Sequence, residues 1–195
     1  MANELIHASQ GTSLTQAEFE AIGLHVCNSQ ATGDLIYANS ATQLSRLAIG
    51  SANQRLRVSS GGIPEWANPE AAKAFHNANQ SILNTAWTVL ALNSEDFDTD
   101  TMHDTVTNNS RLTCNTAGKY MVIGYASFAA NATGVRELAF KYNGGANYYS
   151  LNSIQAVTVG GEYTSVSIST IIDLAVTNYM EFQVYQSSGG ALDIL

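Results

Sequence analysis

With 195 residues the chain can hold one ordinary domain, or a small domain and an attachment segment. Only 12% of its residues are charged, about half the usual share. Its formal charge is −8 and its eight lysines and arginines are scattered, so nucleic acid is not an expected partner, because phosphate contacts need clustered cations. No apolar run approaches the length of a membrane span, so membrane insertion is not expected.

The first region, residues 1–32, opens on Met1-Ala2-Asn3-Glu4, which has neither a basic stretch nor an apolar one. No secretory signal is expected there; assembly onto a particle inside a host would carry such a chain outward without one. Thr15 and Glu18 have the spacing of a capping box, and Phe19, Ile22 and Val26 form a short apolar stripe with Gly23 as a stop. The expectation is one short helix that docks on another surface, since a helix this short is marginal alone.

Residues 33–68 read as short strands at 34–38, 46–49 and 54–58, then a turn at 59–62 and a closing segment at 63–66. Strands this short and few cannot make an independent core, so one copy is expected to need others around an axis. The string GDLIYANSATQLSRLAIGSANQRLRVSSGGIPEW, residues 33–66, resembles a module of phage tail-fibre and related virion proteins. The pattern is a Gly-Asp-aliphatic-aliphatic-Tyr start, an Arg-Leu-x-Ile-Gly centre, then Leu-x-Val, a Gly-rich turn and a Pro-x-Trp end. The resemblance implies a fibrous homotrimer that joins an attachment end to a distal head, with this module as a collar. Residues 69–79 read as a linker, in which the Ala-rich stretch 70–74 suggests one or two helical turns.

Residues 80–195 are a succession of strand candidates: 87–92, 111–114, 120–129, 135–142, 148–159, 163–174 and 179–186. Turn signals separate them, among them Asn143-Gly144-Gly145 and Gly160-Gly161, and strands at this spacing indicate a sandwich or barrel. Trp87 in the first strand, Gly118-Lys119-Tyr120-Met121-Val122, the Asn143-Gly144 turn, Met180-Glu181-Phe182-Gln183-Val184 and the closing Ala191-Leu192-Asp193-Ile194-Leu195 resemble, in order, the jelly-roll head shared by the complement globular domain and the tumour necrosis factor family. The fold class expected is therefore mainly β: a small N-terminal helix-plus-β attachment segment and a C-terminal antiparallel jelly-roll sandwich. The resemblance implies that the knob is a compact homotrimer.

Alternation assigns roles within the knob. If Tyr120 and Val122 point inward, Met121, Ile123 and Tyr125 point outward, an apolar row natural at a trimer axis, with Tyr185 as a further member. Trp87 and Phe97 join Tyr120 and Val122 as core candidates. Tyr142, Asn143, Asn147, Tyr148 and Tyr149 concentrate around one turn and are the receptor-contact candidates, because Tyr and Asn grip ligands at low entropic cost. Arg136 and Glu137 suggest an inter-strand or inter-subunit ion pair. The acidic run with Asp96, Asp98 and Asp100 is the one place with calcium chemistry, but Thr101 and Thr107 stand where a helix-loop-helix calcium loop requires Gly and Glu. No cofactor is expected; a solvated loop outweighs a calcium site.

Cys27 and Cys114 lack metal-ligand spacing and read as two free, buried thiols. His7, His25, His76 and His103 are never spaced as paired ligands, and no nucleophile-elbow pattern accompanies the triad conceivable from His103 and Asp104. The expectation is a non-enzymatic bacteriophage virion-surface protein, a fibre or decoration protein. Its N-terminal segment would bind capsid or tail proteins and its knob a host-surface glycan or protein, or it would stabilise the particle. The alternative is a soluble trimeric carbohydrate-binding module with no particle.

Overall fold

The computed structural model describes residues 5–7, 25–27, 29–41, 43–158 and 161–195. Among them all regular structure is β, and the chain divides into two compact units, Met1–Pro69 and Glu70–Leu195. The helix expected from Thr15, Glu18, Phe19, Ile22 and Gly23 lies outside the described residues. Val26 belongs to a strand instead, with Ile6 opposite it.

The first unit is a set of two-stranded ribbons: β1 (Leu5–His7) with β2 (His25–Cys27), β3 (Leu35–Ser40) with β4 (Gln43–Leu47), and β5 (Arg55–Val58) with β6 (Pro64–Ala67), each antiparallel. Polar clips give these ribbons definition. Asp34 Oδ1 accepts from the Ile49 amide at 2.9 Å, while Oδ2 accepts from the Ala31 amide at 2.7 Å and from Arg46 Nη1 at 2.9 Å. Trp66 Nε1 donates to the Ala48 carbonyl at 2.9 Å. Its indole packs so close to Gly50 that a Cβ there would sit 2.6 Å from Trp66 Cγ. The Gly-Asp, Arg-Leu-x-Ile-Gly and Pro-x-Trp elements of residues 33–66 are thus one hydrogen-bonded and packed network. Among residues 29–41 and 43–69 only Ser45 is buried, while Leu35, Ile36, Leu44, Ile49, Leu56 and Val58 are exposed.

The second unit starts with a ribbon that the sequence reading missed. β7 (Ala72–Phe75) replaces the expected helical turns and pairs with β10 (Ser94–Asp98), with β8 (Gln80–Ile82) and β9 (Thr88–Val89) between them in the chain. An Ala-rich run has high helix propensity, but here the edge of a partner strand overrides it. The remaining strands are β11 (Arg111–Thr113), β12 (Gly118–Phe128), β13 (Val135–Tyr142), β14 (Tyr148–Gln155), β15 (Thr164–Leu174), β16 (Tyr179–Gln186) and β17 (Leu192–Ile194).

They form two antiparallel sheets, ordered β15-β12-β17-β8 and β11-β16-β13-β14, with β9 also on β16. First strand pairs with last, second with second-last, and so inward: β8 with β17, β11 with β16, β12 with β15, β13 with β14. That is a long hairpin rolled into two sheets, the jelly-roll arrangement, which antiparallel chains use to limit open edges. Asn143 (φ 48°) and Gly144 (φ 62°) supply the two positive φ values of a primed hairpin turn between β13 and β14.

Between the sheets lie Val122, Phe128, Leu138, Phe140, Val166, Ile172, Met180, Phe182, Val184 and their neighbours, with Phe140 and Phe182 edge to face at 4.9 Å. Tyr120 packs against this core, and Cys114 is a buried free thiol whose burial pushes its pKa up. Two core assignments are corrected. Phe97 is 48% exposed, because the run expected to be a loop is the ribbon strand β10. Trp87 is only half-buried and lies outside this core.

The expected Arg136–Glu137 ion pair is also absent, since adjacent residues on a strand face opposite sides. Arg136 points inward and is 0% exposed; its guanidinium donates to the carbonyls of Asn131, Thr133 and Val135 at 2.9–3.0 Å and lies over the Phe128 ring. Glu137 points outward and accepts from Ser153 Oγ at 2.8 Å.

Two consequences are measurable. Arg136→Ala removes the donor to three carbonyls and leaves a cavity, so it should destabilise the second unit by about 3 kcal/mol or more in urea unfolding. The backbone amides of Ala31 and then Ile49, helped by Arg46, hold the Asp34 carboxyl below the usual carboxylate range. Its contribution to stability is therefore complete above the ordinary carboxylate pKa and lost as pH falls through its lowered value. Asp34→Asn should lower the melting temperature at neutral pH and flatten that acid limb, followed by Trp66 fluorescence.

Candidate functional site

Alternation along the paired strands gives each sheet of the second unit one face on the core and one away from it. On the β12–β15 sheet the register sets Met121 opposite Ile171, Ile123 opposite Ser169 and Tyr125 opposite Ser167. Met121, Ile123, Tyr125 and Ile171 are 64–69% exposed and form one apolar row, ending on an exposed Lys119–Asp173 pair at 2.9 Å. Tyr125 donates its hydroxyl to Ser165 Oγ at 2.9 Å. Three of the four residues expected in an outward row are therefore together, and Ile171 joins them from the partner strand.

Tyr185 does not join them. It lies on β16, in the other sheet, because Met180, Phe182 and Val184 take the inward positions and send Tyr179, Glu181, Gln183 and Tyr185 outward. No bulge in β16 is needed for Phe182 and Val184 to be buried. Its partner strand β13 likewise turns Glu137, Ala139 and Lys141 outward.

That second outward face is rich in aromatic side chains. The Trp87 ring centroid is 4.3 Å from Tyr148 on β14 and 5.5 Å from Tyr185 on β16, tilted about 40° to each. Lys141 Nζ stands 5.4 Å from the Tyr148 ring centroid, and the Arg111 guanidinium lies 4.4 Å from that of Tyr179. Burial, and then the Glu137 charge, push the Tyr148 phenol up, so it stays a neutral donor.

The receptor candidates around the β13–β14 turn split three ways. Tyr142 packs against the core and donates to Asn178 Oδ1 at 2.8 Å, and Asn143 Oδ1 accepts from the Tyr179 amide at 2.7 Å, so both hold the turn in place. Asn147 and Tyr149 are exposed. Tyr148, turned outward by the irregular register at Phe140/Lys141, belongs to the Trp87 cluster.

The acidic run does not converge on one point. Asp96 pairs with Lys73 at 2.5 Å, Asp98 accepts from the amides of Asp100 and His103, and Asp100 accepts from the Thr116 hydroxyl at 3.3 Å. Among the described residues no three His, Cys, Asp or Glu side chains are grouped to hold a metal ion. The His103 ring is buried, with Nδ1 3.1 Å from Glu95 Oε2 and Nε2 3.2 Å from the Asn109 carbonyl oxygen; neither contact is a serine. Asp104 accepts from the amides of Thr107 and then Val106, which lower its pKa, and so acts as a turn cap.

The sequence reading did not bring Trp87, Tyr179 and Tyr185 together as one candidate face with Arg111, Glu137, Lys141 and Glu181. The signal was there in the alternation of 179–186, had Met180, Phe182 and Val184 been taken as the inward set.

No protein-family model matches the chain, and no curated protein does. Among solved structures, a carbohydrate-binding module of a Cellvibrio mixtus lichenase, solved with cellotriose, is similar at 16% identity, over 72% of this chain and 80% of that one, with a TM-score of 0.31. A score that low equates no position in the two chains, and no ligand is carried across on it.

Proposed function

We propose that this chain is a non-enzymatic bacteriophage virion protein that works as a homotrimer, a surface fibre or decoration protein whose C-terminal jelly roll faces outward for host-surface adhesion or particle stabilisation. The observation that carries the reading is that, among residues 29–41 and 43–69, the ribbons are well clipped, large apolar side chains stand exposed and only Ser45 is buried. Such ribbons are marginal as single copies. Packed around an axis, three copies turn Leu35, Ile36, Leu44, Leu56 and their neighbours into a shared interior. The resemblance of residues 33–66 to the virion collar module supports the phage setting.

The second unit supports the same symmetry. Burying Met121, Ile123, Tyr125 and Ile171 against other copies contributes about 1.5–3 kcal/mol per side chain, which left open is a solubility liability. The jelly-roll strand order also agrees with the resemblance to the complement and tumour necrosis factor heads. A soluble trimeric carbohydrate-binding module is the second reading. It draws on the Trp87 face and leaves the 33–66 module without a role.

Light scattering of the full chain at micromolar concentration should give the mass of three copies. Ile123→Glu with Ile171→Glu should reduce that mass or make the assembly dissociate on dilution. A parent chain that runs as a single copy would sink the reading. Immunogold labelling of purified particles should mark their surface; unlabelled particles beside free trimer favour the soluble module.

A further inference from the structure

The outward face of the β11-β16-β13-β14 sheet carries an observation the trimer does not explain. Ala139 and Gln183 point away from the core, yet they are 0% and 8% exposed. Something covers them from outside. Trp87 contacts Tyr148 on β14 and Tyr185 on β16, and a ring bridging those strands must cross β13. The register places Tyr148 beside Lys141 and Tyr185 beside Glu137, with Ala139 between them on the same face. The Trp87–Tyr148–Tyr185 cluster therefore spans the outer side of β13 at its one small side chain, and Trp87 keeps part of its surface in solvent.

We propose that this face is a saccharide-binding platform, on which one pyranose ring of an uncharged oligosaccharide stacks on Trp87 between Tyr148 and Tyr185 while its hydroxyls bond Glu137 and Lys141. The C–H face of a pyranose is a flat apolar surface ringed by hydroxyls, and it matches an aromatic surface ringed by polar groups. Charge argues for a neutral ligand. Arg111 and Lys141 balance Glu137 and Glu181 within the face, on a chain of formal charge −8 that repels acidic polymers at long range. Geometry argues for use within an assembly. The platform and the Met121 row lie on opposite sides of the sandwich, so copies joined through the row leave the platform open.

The inference rests on the adhesive reading and names its ligand class, and its test is separable from the test of assembly. The full chain is applied to an array of uncharged oligosaccharides built from glucose, galactose, mannose, rhamnose and N-acetylglucosamine, and binders are titrated by calorimetry. At least one should bind saturably. Tyr148→Ser and Lys141→Met should each weaken it about tenfold or more, a loss of about 1.4 kcal/mol. Tyr163→Ser, an exposed tyrosine beside the other sheet and off the platform, should leave it unchanged. Light scattering and far-ultraviolet dichroism of each variant report fold and assembly independently. Lack of saturable binding across the array overturns the proposal. Binding that survives both platform substitutions, or that responds equally to Tyr163→Ser, overturns it too.

Discussion

The second unit depends on one constraint: a β-strand sends successive side chains to opposite faces, so closing a core on one side fixes what stands on the other. The β12–β15 ladder runs in unbroken register from Gly118 opposite Leu174 to Phe128 opposite Thr164. Once Val122, Ala126, Phe128, Val166 and Ile172 are inside, Met121, Ile123, Tyr125 and Ile171 have no inward option. A one-residue slip would exchange the two sets and empty the core, so the outward apolar row is as strongly specified as the interior. The same logic on β13 and β16 fixes the aromatic face. Both surfaces are by-products of one core, so the apolar row and the aromatic face stand on opposite sides of a single jelly roll without compromise between them.

The first unit works by different physics. Its ribbons are shaped by clips rather than by burial: the Asp34 carboxylate gathers two amides and a guanidinium, and Trp66 gathers a carbonyl and the bare backbone of Gly50. Hydrogen bonds of this kind define geometry but contribute little net stability, about 1 kcal/mol each. Clipped ribbons whose described apolar side chains stand exposed suit a segment whose hydrophobic partner is another copy. The motif residues of 33–66 are thus read as architecture, which suits a collar better than a binding loop.

Two polar side chains sealed inside the second unit tie loops to the sandwich. Arg136 has no carboxylate partner and is kept by three carbonyls of its own loop, which fastens the β12–β13 connection to the sandwich. His103 ties Glu95 to the carbonyl of Asn109 across the segment that leads into β11. These groups are placed as fasteners. The two outward faces carry aromatic and aliphatic side chains that remain exposed, Met121, Ile123, Tyr125 and Ile171 among them.

The sequence by itself determined the elements that local chemistry dictates. Alternation and turn residues located the strands from β11 to β16 to within a few residues, and Asn143-Gly144 forced its hairpin. The inward set Tyr120 and Val122 and the outward set Met121, Ile123 and Tyr125 were also readable, because period two needs no knowledge of the partner. Only the tertiary structure decided what depends on pairing. The Ala-rich 72–75 became a strand because β10 lies beside it, and that same pairing left Phe97 outside the core. Tyr185 went to the opposite sheet from Met121 because β16 pairs with β13 and β11, not with β12. Trp87, hydrophobic enough for any core, came to rest on an outer face against Tyr148 and Tyr185. Burial in a sheet is a property of neighbouring strands, and a strand's own residues carry its period but not the identity of its neighbour.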